Sequence, residues 1–155
     1  MPEGPTPRPV ADRLELAAPS LAAIAARVAG RLPPSARRRV LRSALARAEA
    51  AFNRGDFEVV FALFTDRAHY VPPPALSRVP LSGRQAIVEF WRESATRFRI
   101  SSVENVSLDE ILPQRFTRTL RIRHRTDGEE LSYIIRQVTE LRQGRVVSQI
   151  NEQIE

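Results

Sequence analysis

The side chains able to do chemistry in this chain are few. Cysteine is absent from its 155 residues, so there is no thiolate nucleophile, disulfide or Cys-ligated metal. All 24 basic residues are arginine, which removes any lysine Schiff base. His69 and His124 are the only histidines, too few for a His-rich metal site, and neither a metal nor a cofactor is expected. What remains is a set of polar residues in apolar surroundings: Arg118, Gln137, Gln149 and Asn151, with Tyr70 and Tyr133 beside them. The guanidinium donates hydrogen bonds and the amides donate and accept them. Only the tyrosines carry an exchangeable proton, and at a high pKa. Such a set orients a carbonyl, a carboxylate or a polyphenol better than it removes a proton. His124 is the one candidate general base.

These residues are positioned by a meander in the last third of the chain. Ser102 to Leu112, Arg115 to Thr126, Glu129 to Arg142 and Arg145 to Ile154 read as four strands, separated by Pro113-Gln114, Asp127-Gly128 and Gln143-Gly144. Asp-Gly suits a two-residue hairpin turn, which pairs Ile122 with Tyr133 and Arg118 with Gln137. Phe116, Leu120 and Ile135 then share their face. At Gln143-Gly144 two turns are open. A two-residue turn sets Ser148 and Glu152 beside Gln137, whereas a three-residue turn with a bulge at Gly144 sets Gln149 and Asn151 there. The strand from Glu129 has a second apolar side, Ile134 and Val138, which Ile150 extends. A homodimer through this outer sheet face would cover it.

Upstream, Ala51 to Tyr70 passes from helix to helix to strand. The first helix, from Ala36, is capped by Ser35 and stopped at Gly55, and Asp56 reads as the cap of a short second helix. Phe57, Val60, Phe61 and Phe64 form its stripe. After Asp66 the period drops to two, with Ala68 and Tyr70 facing one way and His69 the other. Pro72, Pro73 and Pro74 end that strand, and a return strand is expected over Leu76 to Leu81. A third helix runs from Gly83 to about Phe98, with Trp91 on its apolar face.

Residues 1–33 read as a flexible Pro/Ala-rich arm, extended through Met1 to Pro9, with one short helix from Ser20 to Ala29 and little share in the core. Arg27 interrupts the apolar run, and the start is basic only at Arg8 and Arg13. The arm therefore reads as neither signal peptide nor membrane span, and a cytoplasmic address is expected. The net charge of +6 is spread as scattered arginines with few aromatics, a pattern of solvated faces rather than of a nucleic-acid site. Arg37, Arg38, Arg39 and Arg42 at a helix start read the same way.

FNRGDFEVVFALFTDRAHY, LSGRQAIVEFW and LRQGRVV, in that order and spacing, resemble the nuclear transport factor 2-like superfamily. The closest likeness is to its bacterial SnoaL-like and ketosteroid-isomerase-like branch. The resemblance implies an α+β fold over residues 34–155, a cone-shaped curved mixed sheet wrapped on three helices around a pocket. It also favours the bulge at Gly144, with Gln149 and Asn151 facing the pocket, and makes Trp91 part of the cavity wall. The base of ketosteroid-isomerase-like members falls at Pro72 and their protonated acid near Gln137. The Arg-x-Asp and second Asp of epoxide-hydrolase-like members fall at Arg118, Leu120 and Asn151. Neither pattern retains a carboxylate to move a proton. Three readings follow. The first is a small-molecule binding protein, accessory to a biosynthetic pathway. The second is a cyclase or isomerase acting by positioning and polarisation, and the third a dimeric interaction module without a ligand.

Overall fold

The computed structural model describes residues 7–155, so most of the Met1 to Pro9 stretch lies outside the described residues. Five helices and six strands follow in the order α1 Val10–Ala17, α2 Pro19–Ala29, α3 Pro34–Asn53, α4 Phe57–Val60, β1 Phe64–Val71, β2 Leu81–Ser82, α5 Arg84–Arg97, β3 Ile100–Leu112, β4 Arg115–Thr126, β5 Glu129–Arg142 and β6 Arg145–Gln153. The strands form one curved sheet in the order β2-β1-β6-β5-β4-β3. It is mixed, because β1 runs parallel to β6 while the other pairs are antiparallel.

Local chemistry explains most element ends. Pro34 opens α3, where its missing N–H costs no hydrogen bond. Gly55, at φ 79°, closes α3, and the Asp56 N–H reaches back to the Ala51 carbonyl at 2.9 Å. Two expected caps are absent: neither Ser35 nor Asp56 makes a capping hydrogen bond. Asp56 instead accepts from Arg8 at 2.8 and 3.0 Å and from Arg54 at 3.4 Å, a stronger charged alternative to the helix end. The short helix is also briefer than its stripe implies. It stops at Val60, and Phe64 already belongs to β1. The return strand shrinks to Leu81–Ser82, since Pro72, Pro73, Pro74 and Pro80 supply no ladder donors.

The β4–β5 hairpin has the expected register. Asp127 and Gly128 take φ 51° and 83°, as a tight primed turn requires, so Ile122 opposes Tyr133 and Arg118 opposes Gln137. The β5–β6 turn is a correction. Gln143 and Gly144, at φ 50° and 75°, form a two-residue turn with Arg142 opposite Arg145. The extra residue lies further along, at Val147, between the Leu141–Val146 and Glu140–Ser148 pairs. A bulge anywhere in this stretch gives the same parity, so Asn151 still opposes Gln137 and Gln149 opposes Thr139.

The core fills the concave side of the sheet. Phe57, Phe61, Phe64, Tyr70, Ile87, Trp91, Leu120, Ile122 and Ile135 pack there, each large apolar side chain contributing ~1.5–3 kcal/mol on leaving water. Ile134 and Val138 alternate with buried Tyr133, Ile135 and Gln137, which puts them on the outer face with Ile150. The arm holds two helices rather than one. Ala18 breaks the helix and Pro19 restarts it. Asp12 and Ala23 are buried. A Cβ on Gly144 would collide with the Ala23 carbonyl, so the β5–β6 turn and α2 meet backbone to backbone. Among the described residues no helix is long and apolar enough to cross a membrane.

Candidate functional site

The inner sheet face, α3, α5 and the arm surround a mostly apolar cavity of about 710 Å³, within the range of small-molecule sites. The period of β4 to β6 sends alternate residues into it, which brings Arg118, Gln137, Gln149 and Asn151 to one wall. Tyr70 from β1 and Trp91 from α5 join them. The trio Arg118, Gln137 and Asn151 lies on three neighbouring strands and is linked side chain to side chain. Arg118 Nε donates to Gln137 Oε1 at 2.7 Å, Gln137 Nε2 to Asn151 Oδ1 at 2.8 Å, and Asn151 Nδ2 to the Val71 carbonyl at 2.8 Å. Gln149 Nε2 donates to Thr139 Oγ1 at 2.9 Å, and the Tyr70 hydroxyl accepts from Trp91 Nε1 at 2.9 Å.

Arg118 is the one cation in this relay. Its second contact is Asn105 Oδ1, at 2.6 Å, so both acceptors are neutral amides. Burial pushes its pKa down to about 10, against smaller opposing effects of Tyr70 and Glu49, and it stays protonated at neutral pH. Glu49 is engaged elsewhere, accepting from the Asn105 backbone N–H at 2.7 Å. Glu152 points to the outer face, where it pairs with Arg136 at 2.6 Å. Burial also raises the Tyr70 hydroxyl well above its usual range, outweighing Trp91 and Asn151, so it remains a neutral phenol.

Tyr133 and His124 are not among the residues lining the cavity. The Tyr133 hydroxyl is buried with no hydrogen-bond partner among the described residues, and burial pushes its pKa up to about 12. His124 sits edge-on to it, ring centroids 5.6 Å apart, with Nδ1 3.5 Å from Thr126 Oγ1. The reason is position along the strand. His124 shares the parity of Ile122 but lies one step nearer the turn, beyond the cavity. It is therefore placed to act on nothing inside.

Three contributors are not among the residues singled out from the sequence, and two of them could not have been. Thr139 follows from parity with Gln137 and was legible. Asn105 lies on β3, whose three register shifts obscure any parity. Asp12 comes from the arm, where nothing local marks it. Arg37 lines the cavity as well and donates to the Leu32 carbonyl at 3.2 Å, while Arg38 donates to the Leu108 carbonyl at 3.2 Å. The arginine run thus partly caps backbone. Among the described residues no group of three or more His, Cys, Asp or Glu comes together as a metal site.

The SnoaL-like domain family matches residues 45–149. No curated protein matches the chain. Among solved structures, Bal32a from a soil-derived mobile gene cassette aligns with a TM-score of 0.63 and 20% identity, covering 74% of this chain and 88% of that one. TerC, co-crystallised with polyporic acid, aligns with a TM-score of 0.61 and 14% identity over 72% and 88%. A nuclear transport factor 2-like protein from Burkholderia pseudomallei gives 0.60 and 16% over 72% and 88%. At these identities the likeness is one of fold.

Proposed function

The chain belongs to the SnoaL-like domain family, and from that premise we propose that its cavity binds a small polar-aromatic molecule bearing a carbonyl, enolate or carboxylate, as an accessory to a biosynthetic pathway. One observation carries this reading: a half-buried guanidinium, Arg118, opens on an apolar cavity with only neutral amides as partners. Desolvating a charge without a counter-charge costs several kcal/mol, and a ligand oxyanion would offset that cost. The co-crystallisation of TerC, a protein of similar fold, with polyporic acid is consistent with it.

A second reading keeps the same contacts and adds turnover. Arg118 polarises a bound carbonyl while Tyr70 and Trp91 hold the ring, giving a cyclase or isomerase that works by positioning. An interaction module with a filled core is disfavoured by a cavity of about 710 Å³. We also propose a homodimer through Ile134, Val138 and Ile150. Light scattering should give twice the chain mass at micromolar concentration, and Ile150→Arg should return it to a monomer.

The test of the binding reading has two arms. Native mass spectrometry of the purified protein should recover a bound small molecule. Unchanged recovery on turnover assays separates binding from catalysis. Arg118→Met, which keeps volume and removes charge, should lower affinity for that molecule, or for 2-naphthoate as a stand-in, at least tenfold, about 1.4 kcal/mol. An unaltered affinity in a folded variant would sink the idea.

A further inference from the structure

Leu120, Gln137 and Asn151 give the sheet wall of the cavity no carboxylate, yet the cavity does have one. Asp12, in the first turn of α1, lines it and is only 2% exposed. Its Oδ2 accepts from Arg54 at 2.5 Å, a contact that ties the arm to the end of α3. Its Oδ1 is buried and has no hydrogen-bond partner among the described residues. An ionised carboxylate has room for about four hydrogen bonds, and one left unmade in a buried site is costly. Anchoring the arm therefore explains one oxygen of Asp12 and leaves the other unexplained. Glu15, one turn further along α1, also lines the cavity and adds negative charge to the same end, with Arg47 at 3.9 Å.

We propose that α1 brings a ligand-reading carboxylate to the cavity: Asp12 Oδ1 accepts a hydrogen bond from a hydroxyl group of the bound molecule. This rests on the small-molecule reading above and narrows it. The cavity has an acid from the arm and a cation from the sheet, so it is built for a hydroxy-aryl acid. The oxyanion or carbonyl end sits at Arg118 and the donor end at Asp12. A methoxy group in place of the hydroxyl fills similar space but cannot donate, and the site should reject it.

Calorimetry with the full chain reads this directly. The probes are 4-hydroxybenzoate, 6-hydroxy-2-naphthoate and 4′-hydroxybiphenyl-4-carboxylate, three lengths, each against its methoxy counterpart. At one length or more, the hydroxyl probe should bind at least tenfold tighter. Asp12→Asn should remove that advantage while leaving the methoxy affinity within about twofold. If Asp12→Asn does not fold, Asp12→Asn with Arg54→Gln replaces it, since that pair leaves no buried charge unmatched. Equal affinity for hydroxyl and methoxy probes at all three lengths overturns the inference. So does a preference that survives both variants. Binding of the methoxy probes that Arg118→Met abolishes leaves the parent reading intact in either case. No binding of any probe overturns both.

Discussion

The cavity has two walls of different construction. On the sheet wall, Arg118, Gln137 and Asn151 pass hydrogen bonds along three adjacent strands to the Val71 carbonyl, and each sits in a ladder fixed on both sides. On the arm wall, attachment depends on exposed or half-buried ion pairs, Arg8 with Asp56 and Arg54 with Asp12, and on one hydrogen bond from Arg145 to Ser20 at 3.3 Å. Leu14 and Leu21 line the cavity and yet are 63% and 68% exposed. The sheet wall is a rigid frame in which each group holds the next. The arm wall is a loosely seated panel carrying one exacting group, Asp12. Precision in such a site comes from the sheet, and adjustability comes from the arm.

The comparison breaks most sharply on stability. Gln137→Leu deletes the acceptor of Arg118 Nε and the donor to Asn151, leaving a half-buried cation short of a partner. The expected loss is about 3 kcal/mol, or roughly 10 °C in melting temperature. Removing the arm by starting the chain at Pro34 should cost about 1 kcal/mol or less, a shift of at most a few degrees. Only Asp12 and Ala23 of the arm helices are buried, and Arg54 keeps Asp56 at 3.4 Å as a partner. Thermal melts of the two variants side by side decide the matter. An arm deletion that is insoluble, or that melts as low as Gln137→Leu, would make the two walls equivalent.

A smaller effect separates the walls by pH. Burial raises the Glu15 carboxyl, with nearby Asp12 adding to the rise and Arg47 opposing it. A carboxyl raised on docking favours the docked arm most when protonated, and that contribution is lost as pH rises through the raised value. Asp56 has the opposite sign. Burial alone would raise it, but the hydrogen bonds and charges of Arg8 and Arg54 outweigh burial and hold it below the usual carboxylate range. Its contribution is present above the ordinary value and is lost as pH falls through the depressed one. Arm docking should therefore strengthen from neutral into mildly acidic pH and then fail in stronger acid. Amide-exchange protection over α1 and α2, corrected for intrinsic rates, reports it. Glu15→Gln should flatten the rise and keep the fall, while protection over β4 and β5 stays level through the mild range. A uniform response of arm and sheet would remove the distinction.

The sequence by itself determined what nearest neighbours decide. Asp127-Gly128 admits one tight turn, and from it the pairing of Arg118 with Gln137 and of Ile122 with Tyr133 follows by counting. A helix-to-strand switch, read after Asp66 and standing at Phe64, the breaks at Gly55 and Pro72, and the inward parity of β4 and β5 are legible for the same reason: each depends on a period or a backbone preference within a few residues. The parity of β6 stays open between two turns, and only the family resemblance favours the one found. Tertiary structure decided the rest. The extra residue of β5–β6 settles at Val147 rather than Gly144, which stands against the Ala23 carbonyl. Asp56 gives up a cap to hold Arg8, 48 residues away, and Asp12 reaches the cavity because Arg54, 42 residues away, draws it in. Such contacts join segments with no pattern in common, and a charge pair 42 or 48 residues apart in sequence has no local signature, because Coulomb attraction depends on a separation that only the folded chain sets.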